Sequence, residues 1–337
     1  MTTPRDPIAL TVIGGFLGAG KTTLLNGLLR EPGDRRLAVL VNDFGAINID
    51  AELVQAREGE MISLKNGCIC CGVSGDFIAE LALLRDRDDP PEHVVVEASG
   101  VADPGAIVAL GDMPGYRRDA AVVVADAETV RERAADEATG LMVRRQLRAA
   151  DLIVLNKRDL VAEQELARTQ AWLRELAGQS TAIVDTSFGA VPVDVALGAP
   201  GLRRLGEDAP QPAQPGQLAS HDHAGHEHAE HDHVDPLHPA FETWSWSGPD
   251  PLSGAGLVAE LPALPEGIVR AKGLLYLRED PERRYLLQLV GRRYSIEADR
   301  PWGDAPPASQ VVVIGLPGSV DAAQLTATLQ RLAAPGA

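Results

Sequence analysis

Cysteine is scarce in this chain. Its three copies, Cys68, Cys70 and Cys71, fall within four positions and leave nothing over for a disulfide framework. Long apolar runs are missing too: none approaches the roughly 18 residues that span a bilayer. The start, Met1–Pro7, lacks the apolar stretch of a secretory signal. These absences predict a cytoplasmic protein with no membrane partner, where thiols stay reduced and clustered cysteines bind metal more often than they pair. Positive charge is also short, since 31 Lys and Arg against 48 Asp and Glu leave a net charge of −17. No basic run exceeds pairs such as Arg203-Arg204 or Arg292-Arg293. Such a field repels a polyanion, so nucleic acid is not expected as a partner.

What is present has room for two domains. Apolar strand candidates lie at Leu10–Gly14, Leu37–Asn42, His93–Glu97, Ala120–Asp126, Leu152–Asn156 and Thr181–Asp185. Helical patterns fall between them at Thr22–Arg30, Phe77–Arg85, Gly140–Ala149 and Glu163–Ala177. Strands apolar on both faces, separated by helices, predict an α/β domain over 1–205 with a mainly parallel sheet and helices on both faces. Residues 206–239, rich first in Pro and Gln and then in His, Asp and Glu, offer little apolar surface and are expected to be a disordered linker. From 240 to 337 a smaller α+β domain is expected on an antiparallel sheet. Its strands are predicted at Phe241–Ser247, Ile268–Leu277, Arg284–Ile296 and Gln310–Leu316, its helices within Leu252–Leu261 and at Val320–Leu332.

Gly15-Phe16-Leu17-Gly18-Ala19-Gly20-Lys21-Thr22 fits G-x-x-x-x-G-K-[ST] between a strand and a helix, the context this P-loop motif requires. Glycines let the backbone curl until its N–H groups face phosphate oxygens. The span from Gly15 through Thr22 and Thr23 is thus expected to hold the phosphates of a nucleotide. Lys21 would neutralise the β- and γ-phosphates and the Thr22 hydroxyl would coordinate Mg²⁺. Asn156-Lys157-Arg158-Asp159 ends an apolar strand. An ionised Asp159 accepts from the N1–H and exocyclic amine of guanine, whereas adenine would leave it unpaired, so GTP is the expected nucleotide. Thr186-Ser187 would close over the base.

Glu97 ends Val94-Val95-Val96, where P-loop proteins present an acid towards Mg²⁺, and the Gly100 N–H would sense the γ-phosphate. Asn42-Asp43-Phe44-Gly45 is expected to be the first mobile switch, with Asp43 reaching Mg²⁺ directly or through a water. Lys21, Asp43, Glu97 and Gly100 form the expected catalytic set for GTP hydrolysis. No activating Gln or arginine finger is identifiable, which predicts slow intrinsic turnover.

Thiolates are soft ligands that favour Zn²⁺, Cu⁺ and related ions. Cys68 and Cys70, two apart, would share a side of an extended segment while Cys71 would point away. Two or three sulfurs on one ion leave an open position, whereas a closed four-ligand site is structural. Seven of the eight histidines follow at 221, 223, 226, 228, 231, 233 and 238. Imidazole suits Zn, Ni and Co, so His221, His223, His226, His228, His231 and His233 are expected to be auxiliary ligands that collect metal. A merely soluble linker is the plain alternative. His93, ahead of a buried strand, reads as structural.

The phosphate loop, Asn-Asp-Phe-Gly, Gly-Cys-x-Cys-Cys, Glu-x-x-Gly-x-x-Asp-Pro from Glu97 to Pro104 and Asn-Lys-x-Asp, in that order, resemble the CobW-type GTPases. That family is related to the hydrogenase and urease nickel-insertion GTPases. The likeness extends to Lys272-Gly273 and Asp299-Arg300-Pro301-Trp302-Gly303, and only residues near 206–239 fall outside it. The resemblance implies a GTP-dependent metallochaperone that delivers zinc or cobalt to a client metalloprotein, cobalt delivery serving cobalamin synthesis. One departure stands out: members with a second metal-binding carboxylate read Asn-Glu-Phe-Gly-Glu, and Ala46 occupies the last position here. The ligand number and the choice of metal stay open, the histidines favouring zinc. Two rival readings remain, a metal buffer uncoupled from nucleotide and a P-loop kinase or ligase; Asn156–Asp159 argues against the second. Self-association into a homo-oligomer is left open.

Overall fold

The computed structural model describes residues 6–33, 35–41, 60–63, 75–199, 241–303 and 305–334. Two compact units divide the chain, 1–201 and 202–337.

The first unit is built on seven strands: β1 (Ile8–Gly14), β2 (Leu37–Val41), β3 (Glu60–Ser63), β4 (His93–Glu97), β5 (Tyr116–Asp126), β6 (Leu152–Asn156) and β7 (Ala182–Asp185). They lie in the order β3-β2-β4-β1-β5-β6-β7, and every pairing between them is parallel. The expected mainly parallel sheet is thus wholly parallel among the described residues. β1, β2, β4 and β6 are buried along their whole length, as strands covered on both faces must be.

The helices are α1 (Lys21–Arg30), α2 (Gly75–Arg85), α3 (Pro104–Val108), α4 (Val130–Ala135), α5 (Gly140–Arg148), α6 (Glu163–Ala177) and α7 (Val193–Leu197). Phe77, Leu81 and Leu84 of α2 join Ile107 and Val108 of α3 over β1, β2 and β4. Val130, Val143, Leu147, Leu166 and Leu173, from α4, α5 and α6, pack over the far halves of β5 and β6. A polar cluster interrupts the sheet's interior: Thr11 Oγ1 donates to Asp119 Oδ2 at 2.6 Å and stands 2.8 Å from His93 Nε2. His93 is thereby tied across three strands.

The second unit holds β8 (Glu242–Gly248), β9 (Ile268–Tyr276), β10 (Arg283–Val290), β11 (Arg293–Pro301) and β12 (Ser309–Gly315), with α8 (Gly254–Glu260) and α9 (Ala322–Ala333). Its sheet runs β11-β10-β9-β12-β8 with every pairing antiparallel. Alternate residues such as Ala271, Leu275, Leu287, Leu289, Val311 and Val313 share one face, onto which Leu257 of α8 and Leu329 and Leu332 of α9 pack. The single strand expected over Arg284–Ile296 is a hairpin instead. Gly291, at φ +59°, opens a two-residue turn where type II′ geometry favours glycine, and Val290 pairs with Arg293 across it.

Candidate nucleotide site

Because the strands of the first sheet are parallel, their C-terminal ends share one edge, where open α/β sheets bind ligands. β1 ends there in Gly14, and the loop that follows turns into α1 through three left-handed glycines. Gly15, Gly18 and Gly20 have φ of +128°, +76° and +106°. Two of them also lack room for a side chain: a Cβ on Gly15 would lie 2.1 Å from the Val124 carbonyl oxygen, and one on Gly20 2.3 Å from Asn156 Nδ2. The loop is therefore wedged between the ends of β5 and β6. Ala19 is buried within it, and Lys21 lies largely buried at the start of α1 with Nζ 3.4 Å from the Phe16 carbonyl oxygen. Thr23 is exposed one residue past Thr22.

The Thr22 hydroxyl donates to Glu97 Oε1 at 2.7 Å. Glu97, the last residue of β4, is only 3% exposed, and burying a carboxylate is costly unless it is hydrogen-bonded or paired. The bond joins the start of α1 to the end of β4, two places the sequence had singled out separately. Beyond Glu97 the chain turns at Ser99–Ala102, and Asp103 caps α3 by accepting from Gly105 N–H at 2.9 Å. Gly100 lies against the phosphate loop, since a Cβ there would meet Leu17 Cδ2 at 2.5 Å and Leu17 N at 3.0 Å.

Asn156 does more in this structure than precede a base reader. Its Nδ2 donates to the Ala19 carbonyl at 2.9 Å, and its Oδ1 accepts from Gly189 N–H at 2.9 Å. One buried amide thus pins the phosphate loop to the loop after β7. Lys157 has φ +62°, which costs a non-glycine residue roughly 1–2 kcal/mol. Its Nζ is anchored to Asp126 Oδ2 at 2.7 Å, at the end of β5. That turn leaves Asp159 exposed on the short 3₁₀ segment Arg158–Leu160. Thr186 and Ser187 are both buried; the Thr186 hydroxyl donates to the Ala190 carbonyl at 2.6 Å and shapes the loop instead of facing outward.

Two residues that brace the candidate site, Asp126 and Gln146, have no place in the sequence reading of that site. Asp126 ends a Val-rich strand as Glu97 does, a signal that was available. Gln146 sits between Val143 and Leu147 on the apolar stripe of α5, and its Nε2 donates to the carbonyls of Gly100 at 3.1 Å and Ala102 at 2.8 Å. A polar residue on an apolar stripe was its only trace. Asp43, Cys68, Cys70, Cys71, Ala46 and the histidines from His221 to His238 lie outside the described residues.

Residues 9–184 match the family described as CobW/HypB/UreG, nucleotide-binding domain, and residues 241–333 match the Cobalamin synthesis protein cobW C-terminal domain. The chain belongs to the CobW family. Three curated relatives extend over nearly all of this CobW-family chain. A zinc chaperone CobW of Sinorhizobium sp is 31% identical, covering 98% of the chain and 100% of its own length. A zinc chaperone CobW of Pseudomonas aeruginosa is 33% identical over 91% of the chain and 87% of its own length. The zinc chaperone YjiA of Escherichia coli is 30% identical over 92% and 95%. The two matched stretches of the CobW-family chain fall on its two compact units, the parallel sheet and the antiparallel one.

Proposed function

We propose that this chain is a GTP-hydrolysing metallochaperone. It takes zinc on Cys68, Cys70 and Cys71, hands it to a client metalloprotein, and sets its metal affinity by the nucleotide it holds. The nucleotide half rests on one observation above all, the Thr22–Glu97 bond beneath a left-handed glycine loop that Asn156 ties to the far loops. The metal half is supported by the cysteine cluster and by relatives that are named zinc chaperones.

In this reading Lys21 and the loop N–H groups bind the phosphates, aided by the positive end of α1. Asp159 accepts from the guanine edge, and its exposure leaves it open to a base. Thr22 Oγ1 and Glu97 Oε1 are adjacent hard oxygen donors, the type Mg²⁺ takes, so they fit that ion, and the Asp43 carboxylate would be a third donor of the same kind. Bound there, Mg²⁺ would neutralise charge that develops on the transferring phosphoryl group. Glu97 orients a water, and the Gly100 N–H reports whether a γ-phosphate is present. Loss of that phosphate relaxes the switches and lowers metal affinity. Reversing occupancy from 1:99 to 99:1 needs about a 10⁴-fold difference between states.

Competition titrations of the full chain with a zinc chelator, in GTP with Mg²⁺ and again in GDP, test this reading. Zinc is expected to bind more tightly in GTP, and replacing all three thiols by serine to remove that binding. Equal affinity in both nucleotides favours the uncoupled buffer. Tighter, nucleotide-sensitive Co²⁺ than Zn²⁺ binding would shift the cargo to cobalt.

A further inference from the structure

The segment from Glu97 to Asp103 is held from outside by two consecutive residues of α5. Arg145 pairs with Asp103 at 2.8 Å, but its side chain is 72% exposed, and exposed pairs contribute little. Gln146 differs. It is 2% exposed, so water cannot replace its bonds, and its single NH₂ group serves two carbonyls of one turn, Gly100 and Ala102. The first of those carbonyls belongs to Gly100, the residue whose backbone lies against Leu17 of the phosphate loop.

We infer that Gln146 is a positioning residue for the proposed GTPase, fixing the Gly100–Ala102 turn so that the Gly100 N–H is already aimed where a γ-phosphate stands. The inference rests on the proposed nucleotide function and deepens it. A turn ordered before binding loses less entropy when the triphosphate arrives, which raises affinity for GTP alone. GDP has no group to meet Gly100 and gains nothing. Gln146 is therefore a selectivity element for the triphosphate, acting through the backbone and touching no reacting atom. Val143 and Leu147, one turn before it and one residue after, are 3% and 2% exposed and fix the helix that carries it.

The test compares Gln146→Met, which keeps length and loses both donors, with Val143→Ala, which loosens the same helix without touching the turn. GTP and GDP dissociation constants and melting temperature are measured for both variants and the wild type. Gln146→Met is expected to weaken GTP about tenfold while GDP changes less than about twofold, one to two modest hydrogen bonds being worth that much. Its kcat is expected to fall with the same sign. Val143→Ala should lower the melting temperature and leave the GTP:GDP ratio alone. If Gln146→Met does not fold, Gln146→Asn, which retains a shorter donor, is expected to show an intermediate ratio. An unchanged ratio in the Gln146 variants, or the same change in Val143→Ala, overturns the inference. A wild type that binds neither nucleotide overturns the GTPase reading itself, so the two failures are told apart.

Discussion

Asn156→Ala should damage the protein in a way that separates bracing from base reading. Asn156 is 2% exposed and makes two bonds of 2.9 Å, one to the Ala19 carbonyl and one from Gly189 N–H. Removing a typical hydrogen bond costs about 1 kcal/mol, and a buried group left unsatisfied costs about 1–3 kcal/mol. Relaxation of two loops recovers part of that, so the expected loss is about 2–4 kcal/mol. For a unit of this size each kcal/mol moves the midpoint by about 2–4 °C, which places the expected fall at about 4–16 °C. The assay is a thermal melt of the nucleotide-free protein, followed by GTP and GDP titrations. Both nucleotides should weaken together, because the phosphate loop and the loop after β7 serve either one. Asn156→Asp keeps the acceptor for Gly189 but sets an oxygen against the Ala19 carbonyl, and is expected to be no milder. A loss below about 0.5 kcal/mol, or a loss of GTP with GDP spared, would refute the bracing role.

Asp159→Asn presents amide donors to guanine donors, so GTP and GDP titrations should show both weakened at least tenfold, to about the affinity of ATP; undiminished GTP binding removes Asp159 from the site. Glu242, the first residue of β8, accepts from Gly318 N–H at 2.8 Å and Val320 N–H at 3.1 Å, and those bonds hold its carboxyl below the ordinary glutamate range. A depressed folded value gives stability that is present above the unfolded value of about 4.3 and lost as pH falls through the folded one. Melts of wild type and Glu242→Gln should thus differ at pH 7 and converge as the pH falls through the lowered folded value of Glu242; a gap that persists in acid shows that the loss was one of shape.

The long elements were legible where hydrophobic pattern and burial agree. β4, β6 and α6 occupy the ranges their patterns predict, His93–Glu97, Leu152–Asn156 and Glu163–Ala177. What the pattern could not carry was short or edge-lying. β3, Glu60–Ser63, has four residues and among the described residues pairs with β2 alone, too short a run for a pattern to show. α3, α4 and α7 span five or six residues, less than the two turns a helical period needs to declare itself. In the site, the glycines and the acid ending β4 were readable because their chemistry is local: a left-handed φ or a strand end is written at the residue. The bonds from Asn156 and Gln146 to distant carbonyls are made by tertiary packing, and no local pattern announces them.

β3 also bears on how the cysteines could answer to a nucleotide. It sits three places from β1 in the sheet order, about 14 Å at the usual strand spacing. Being parallel to β2, it ends in Ser63 at the same edge as Gly14 and Glu97. Cys68 follows Ser63 by five residues, a span of at most about 18 Å when fully extended. α2 then begins at Gly75, four residues after Cys71. Chain length alone therefore tethers Cys68 to within about 18 Å of Ser63, a strand end on the edge where the phosphate loop lies. With the thiols at that edge, the proposed coupling between a γ-phosphate and a sulfur-bound ion would need no relay through the core of the sheet. On the proposed reading it needs only that the loops at this one edge settle differently around GTP and GDP, and the turn held by Gln146 is the described part of that edge we infer to register the difference.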